Sequence, residues 1–328
     1  LQMYFNVPES GRKGLFKLLE TEHRSSAPPS FVGDDVAHFV RWRKSGEEAL
    51  QILEKTLAEA MPMAAGFLTM MIDQVGKMKN PDFDFRRQFI GNLGDDIMTI
   101  QMTPKEFTLD ALVAPPTLYL IGSGNPDALL DATMTAQSSM GIPGMDAKGE
   151  DFLGKQIYAM SAGVKLGVGG KPAGQRHLFA TTARGYMAIG TERELIEDFI
   201  RGGGAANKLS EINGFRQAVE KVGGLGTGWF FYDNPLDMLN MLLTSFKQNP
   251  NALESLFGPV FFKAILINPN SSTGSDPGMT IQQRMTEYIA LLPDFKQIAK
   301  YMSFSVGSAM TDADGILIRA YSPDHANQ

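Results

Sequence analysis

The sequence predicts an α+β fold: antiparallel or mixed sheets with helices packed on one face, assembled from internally duplicated strand–cap–helix modules. Three observations predict it. A strand-like run, a polar stop and an amphipathic helix follow one another five times along the chain. Alternating runs joined by tight turns, such as "HLFATTARGYMAIG" and "SFSVGSAMTDADGILIRA", read as hairpins, which favour antiparallel pairing. Residues 1–110 and 185–321 carry the same element order and the same punctuation.

The five units come in order. "LQMYFNV" leads through Pro8-Glu9-Ser10 into "RKGLFKLLE", and "VAHFVRWRK" leads to Ser45 and "GEEALQILEKTLAEA". "TLYLIGSG" leads to Asn125-Pro126 and "DALLDATMTAQ", "GYMAIG" to Thr191 and "ERELIEDFIR", and "GWFFYD" to Asn234-Pro235 and "LDMLNMLLTSF". In most of them Ser, Thr or Asn at the stop is expected to cap an orphan helix amide. Ser45 with Glu48, and Thr191 with Glu194, have capping-box spacing. Pro126 and Pro235 stand at first helical positions, where a missing N–H costs nothing.

In both long stretches a Pro-Asp-Phe start (Pro81-Asp82-Phe83 and Pro293-Asp294-Phe295) introduces a short helix and then a strand. The expected division is a first, partial module over 1–112 and a second over 113–328, packed as one two-lobed unit. The Gly-rich segments 138–154 and 163–175 and the polar run 268–279 read as irregular loops.

Composition narrows the function classes. The chain has 328 residues, 43% hydrophobic, enough for one large core or two smaller ones. Net charge is −6 with no basic block, which disfavours nucleic acid as a partner. The longest apolar runs, "ALVAPPTLYLIG" and "FGPVFFKAILI", fall short of the roughly 20 residues that span a bilayer, so no transmembrane segment is expected. Zero cysteines exclude disulfides, thiolate metal sites and cysteine catalysis. That composition, with a first residue that is Leu inside a strand-like run, suggests an extracytoplasmic protein whose signal or anchor lies upstream.

The chemical motifs weaken on inspection. The glycines of "VGGLGTGWFFYDN" close a helix and enter a strand, the reverse of a dinucleotide fingerprint. "GVGGKPAG" carries Pro172 where a P-loop needs Ser or Thr. Asp314-Gly315 in "TDADGI" signals a hairpin turn, not a calcium loop. His23, His38, His177 and His325 form no metal pattern, and His38 reads as solvent-facing or capping. Ser123 sits between glycines after a strand, but its spacing is that of an approach to the Asn125 cap, not a nucleophile elbow. Asp34, Asp35, Asp95, Asp96 and Asp233 near strand ends read as solvated turn and capping carboxylates. No catalytic residue, metal or cofactor is assigned. Trp42, Trp229, Phe231, Tyr232 and Asp233, on comparable strands, are the candidate lining of a binding groove, although aromatics more often pack strands on helices.

The strand "FVGDDVAHFVRWR", the hairpin-helix "FATTARGYMAIGTERELIEDFI" and "GWFFYDNPLDMLNML" together resemble large protein families of planctomycete- and verrucomicrobial-type bacteria. Those families carry an N-terminal signal or anchor and have no assigned activity. The resemblance implies an exported protein of duplicated α+β modules and brings no catalytic residues. Three functions follow as expectations: a binding or scaffold module for an unknown protein or small-molecule ligand, a hydrolase with a dispersed carboxylate/serine site, or an assembly component of the cell envelope.

Overall fold

Short-range turn chemistry sets the first pairings. Asp312 accepts the N–H groups of Asp314 (2.9 Å) and Gly315 (2.8 Å) on one carboxylate oxygen, closing the last hairpin at the Asp-Gly turn. Arg184 and Gly185 take left-handed φ values of 55° and 82° in the turn of "HLFATTARGYMAIG".

The computed structural model describes residues 1–78, 80–105, 111, 115–139, 149–161, 177–248, 287 and 289–323. Its strands are β1 (Gln2–Phe5), β2 (Val36–Trp42), β3 (Ile97–Met102), β4 (Thr117–Gly122), β5 (Glu150–Phe152), β6 (Lys155–Ser161), β7 (His177–Ala183), β8 (Tyr186–Gly190), β9 (Trp229–Asp233), β10 (Ser305–Thr311) and β11 (Ile316–Tyr321). Among the described residues they form one antiparallel sheet in the order β1-β11-β10-β9-β2-β3-β4-β8-β7-β6-β5. Strands from residues 1–112 and 113–328 therefore share one sheet and meet at three pairings, β1 with β11, β2 with β9 and β3 with β4, of which β2–β9 lies at the centre of the matched strand order.

The strand order reads alike from that centre. Outward from β2 come β3, β4 and β8; outward from β9 come β10, β11 and β1. The connections from β1 to β2 and from β8 to β9 each pass three strands. The two crossing segments lie side by side. Ser26 N–H donates to Leu225 (2.7 Å), Ala205 N–H to Ser30 (2.9 Å), Leu209 N–H to Val32 (3.0 Å) and Gly228 N–H to Arg24 (2.9 Å). Gly228 has φ 75°, and a Cβ there would collide with the Glu22 carbonyl, so this crossing requires glycine.

The helices are α1 (Leu15–Leu18), α2 (Gly46–Ala60), α3 (Pro62–Gln74), α4 (Phe85–Gln88), α5 (Pro126–Ser139), α6 (Arg193–Arg201), α7 (Phe215–Lys221), α8 (Leu236–Gln248) and α9 (Phe295–Ala299). They do not all lie on one face, as the sequence suggested. On the front face, Phe39, Met98, Ile100, Leu118, Leu120, Ala188, Phe230, Tyr232 and Val306 pack on Ile196 and Phe199 of α6 and on Phe215, Ala218 and Val219 of α7. On the back face, Leu129 and Leu130 of α5 pack on Met160, Ala180 and Met187. Met187 and Ala188 are consecutive, so β8 is buried on both sides; its "YMAIG" is apolar at every position rather than alternating.

The caps divide. Ser45 Oγ accepts the Glu48 N–H at 3.3 Å, but the Glu48 carboxylate turns to Lys44 instead of back to the cap. Asn125 Oδ1 accepts the Ala128 N–H at 3.2 Å, and Ser123 Oγ accepts the Asn125 N–H at 3.0 Å, the approach role expected of it. Thr191 differs. Its hydroxyl accepts the Thr117 N–H at 2.9 Å across the sheet, and α6 starts behind Glu192 with no side-chain cap. Gly223 and Gly224 do close α7, with φ 100° and 90° and the Gly224 N–H on the Val219 carbonyl. Segment 163–175, most of 138–154, the run 268–279 and "FGPVFFKAILI" lie outside the described residues.

Candidate functional site

The register of β2 on β9 assembles most of the expected groove residues. Trp42 stands opposite Trp229, Val40 opposite Phe231, and His38 opposite Asp233. Side chains alternate along a strand, so these six share the back face. The Trp229 and Phe231 rings lie 5.4 Å apart at 58°. On β10, Gly307 stands opposite Phe231, and a Cβ there would run into the Phe231 ring. The missing side chain lets that ring lie against the neighbouring strand. Thr99 and Tyr119 extend the same face across β3 and β4, and Tyr119 is 43% exposed. Trp42, Trp229, Phe231 and Asp233 are half-buried.

Tyr232 does not belong to this group. It stands opposite Phe39 on the front face, is 1% exposed, and packs against Phe304 and Phe215. Alternation along β9 forces the separation, since neighbours in a strand face opposite ways. Burial pushes its hydroxyl up to about 12, and it is a core residue, not a groove residue.

His38 is likewise not merely solvent-facing. Its Nδ1 lies 3.3 Å from Asp233 Oδ1. Such a pair orients an imidazole, but a nucleophile or substrate proton must sit at the other ring nitrogen for acid–base work. Asp233 is the partner that the structure places on the ring.

Beside the front core, sequence reasoning missed an ionic cluster. Asp96, expected to be solvated, is buried. Arg41 grips it with two bonds, Nε to Oδ1 at 2.8 Å and a terminal nitrogen to Oδ2 at 2.6 Å. The Tyr186 hydroxyl donates to Oδ2 at 2.8 Å, and Arg43 stands 3.3 Å away. Burial works to raise the Asp96 carboxyl, but the bonds from Arg41 and Tyr186 together outweigh it and hold it below its ordinary value. Burial, then the bond to Asp96, pushes the Tyr186 hydroxyl up to about 12. Arg41 also donates to the Ala27 carbonyl at 2.6 Å, and Arg24 pairs with Asp95. Both contacts tie the β1–β2 crossing to the sheet. Every member points at another member, so the cluster is a structural clamp. Its traces in the sequence were Arg41-x-Arg43 at the end of β2 and the adjacent pair Asp95-Asp96, with nothing to join them.

A cavity of about 640 Å³ opens by α6, lined by Asp35, Glu192, Glu194, Asp198 and Asp237 with Lys105 opposite. Lys105 and Glu194 pair at 2.8 Å; that bond lowers Glu194 and raises Lys105, which holds both in their charged forms. Neither is poised to exchange a proton near neutrality. Among the described residues no group of three or more His, Asp or Glu side chains is placed to hold a metal ion, and no helix is long and apolar enough to cross a membrane.

Comparisons with protein families, with curated proteins and with solved structures returned no match for this chain.

Proposed function

We propose that the chain is a non-catalytic binding module that offers its back-face aromatic strip to a polypeptide partner. The observation that carries this reading is the opposed pair Trp42 and Trp229, with Phe231 seated over Gly307, left half-buried at the centre of the sheet. Large aromatics in partial exposure are the anchors around which protein interfaces are built. A second stripe supports it. On α3, Met63, Phe67, Met70 and Met71 recur at helical spacing and are 92%, 59%, 55% and 50% exposed. Exposed methionines suit surfaces that adapt to a partner. Export remains part of the proposal, supported by the cysteine-free composition and the family resemblance.

The two tryptophans of the strip are the only two in the chain, so intrinsic emission reports on this face. Titration with anilinonaphthalene sulfonate should quench tryptophan emission saturably, and an amphipathic peptide should compete the dye away. Val40→Asp, which keeps both tryptophans, should abolish both effects while the thermal midpoint shows the chain folded. Unchanged tryptophan emission at saturating dye would sink the reading.

We also propose that the chain arose by internal duplication, with the two units exchanging their first strands. The matched strand order about β2 and β9 and the paired crossings support this. Replacing residues 2–5 by the β8 sequence "YMAI" should leave the thermal midpoint close to the parent's; loss of folding would count against it.

A further inference from the structure

The outer edge of β1 differs from its counterpart. Outward from the centre, β1 holds the position that β8 holds on the other side. The outer edge of β8 is filled by β7, paired from Phe179 opposite Gly190 to Ala183 opposite Tyr186. Among the described residues no strand lies on the outer edge of β1.

We propose that this edge is a strand-acceptor site for an extended segment of a separate polypeptide, antiparallel to β1 and similar in chemistry to β7. The backbone supports it. Leu1 and Ala320 exchange both hydrogen bonds, each 2.9 Å, so Leu1 is a position that faces β11. Antiparallel alternation then directs Met3 and Phe5 toward β11 and leaves the N–H and C=O of Gln2 and Tyr4 pointing outward. Met3 and Tyr4 are 44% and 47% exposed, so side chains do not roof the edge.

Protected edges carry charge, proline or bulges. The far edge obeys: β5 carries Glu150 and Asp151. β1, "QMYF", carries no charge and no proline. The occupant is defined by what β7 presents to β8: a short strand with Leu178, Ala180 and Thr182 on one face and Phe179, Thr181 and Ala183 on the other, uncharged apart from its terminal histidine. Main-chain bonds supply the attraction and the alternation sets the register.

This inference rests on the strand-order correspondence behind the duplication and is independent of the aromatic strip. Its test reads binding at β1, whereas the duplication is read from a thermal midpoint, so the two fail separately. A fluorescein-labelled peptide of residues 177–183, "HLFATTA", is titrated into the full chain and followed by anisotropy and amide exchange. Saturable binding with slowed exchange at Gln2 and Tyr4 is expected. Gln2→Pro removes an outward N–H without touching the β11 ladder, so it should weaken binding at least about tenfold at an unchanged midpoint. The same peptide with Thr181→Pro should bind far less. No saturation, or binding indifferent to either proline, overturns the proposal. Protection of Gln2 and Tyr4 that rises with protein concentration before peptide is added also overturns it, because a second copy then fills the edge.

Discussion

Arg41 and Asp96 meet as a two-bond pair, 2.8 and 2.6 Å, where the β1–β2 crossing lies against the sheet. Such a pair adds little over a well-packed apolar pair, because both charges lose their water. Removing one partner is another matter. Asp96→Ala strands two arginines in a half-buried site and should cost about 3–5 kcal/mol in urea unfolding. Arg41→Met with Asp96→Leu should recover most of that loss. If Asp96→Ala unfolds at the parent's urea concentration, the clamp does not hold the crossing.

Tyr186 of this cluster and the core residue Tyr232 both bear on stability at alkaline pH. Tyr186 and Tyr232 are both raised from 10.0 to about 12 in the folded chain. A raised value means that the neutral form is favoured by folding. Their contribution is complete below the unfolded value and is lost as pH climbs from roughly 10 through about 12. Asp96 acts with the opposite sign. Its folded value is depressed, so its contribution is present above the unfolded value and is lost as pH falls through the folded one. Denaturation midpoints against pH should therefore fall at both ends, and Tyr186→Phe should flatten the alkaline arm.

Gly307 and Phe231 give a local test of the strip. Gly307→Ala places a methyl where the Phe231 ring lies and close to the Arg319 carbonyl. The ring must swing away, at a cost of ~1–3 kcal/mol for overpacking. Because Phe231 lies 5.4 Å from Trp229, tryptophan emission should shift in the folded variant. An unchanged spectrum with unchanged stability would mean that the ring does not rest on Gly307.

Local signals carried much of the fold. The Asp-Gly turn at Asp314-Gly315, the Asn125 cap and the glycine end of α7 depend on residues within a few positions, and each lies where the sequence suggested. The aromatic strip was half legible: residue type picked out Trp42 and Trp229, and alternation along β9 sets Phe231 apart from Tyr232, but only the register of β2 on β9 puts Trp42 beside Trp229. What escaped is long-range. Asp96 looked like a turn carboxylate because Arg41 and Tyr186 lie 55 and 90 residues away along the chain. The second helical layer escaped for a related reason: an apolar run such as "YMAIG" fits one buried face as well as two.

Thr191 and Glu194 separate the local from the long-range account most sharply. As a capping box, both side chains would support α6, and removing either would cost about 1 kcal/mol. In the folded chain Thr191 Oγ1 instead accepts the Thr117 N–H at 2.9 Å, and Thr117 is 5% exposed. Glu194 is 61% exposed and, among the described residues, pairs with Lys105, which is 78% exposed. Thr191→Ala therefore leaves a buried amide without its acceptor and should cost ~1–3 kcal/mol. Glu194→Gln should change stability by less than about 0.5 kcal/mol, as exposed pairs do. Thr191→Val, which keeps the shape and loses the oxygen, should match the alanine. Urea unfolding of the three variants decides it: equal losses at Thr191 and Glu194 would restore the capping box, and a loss at Thr191 alone fixes its role at the end of the β4–β8 pairing.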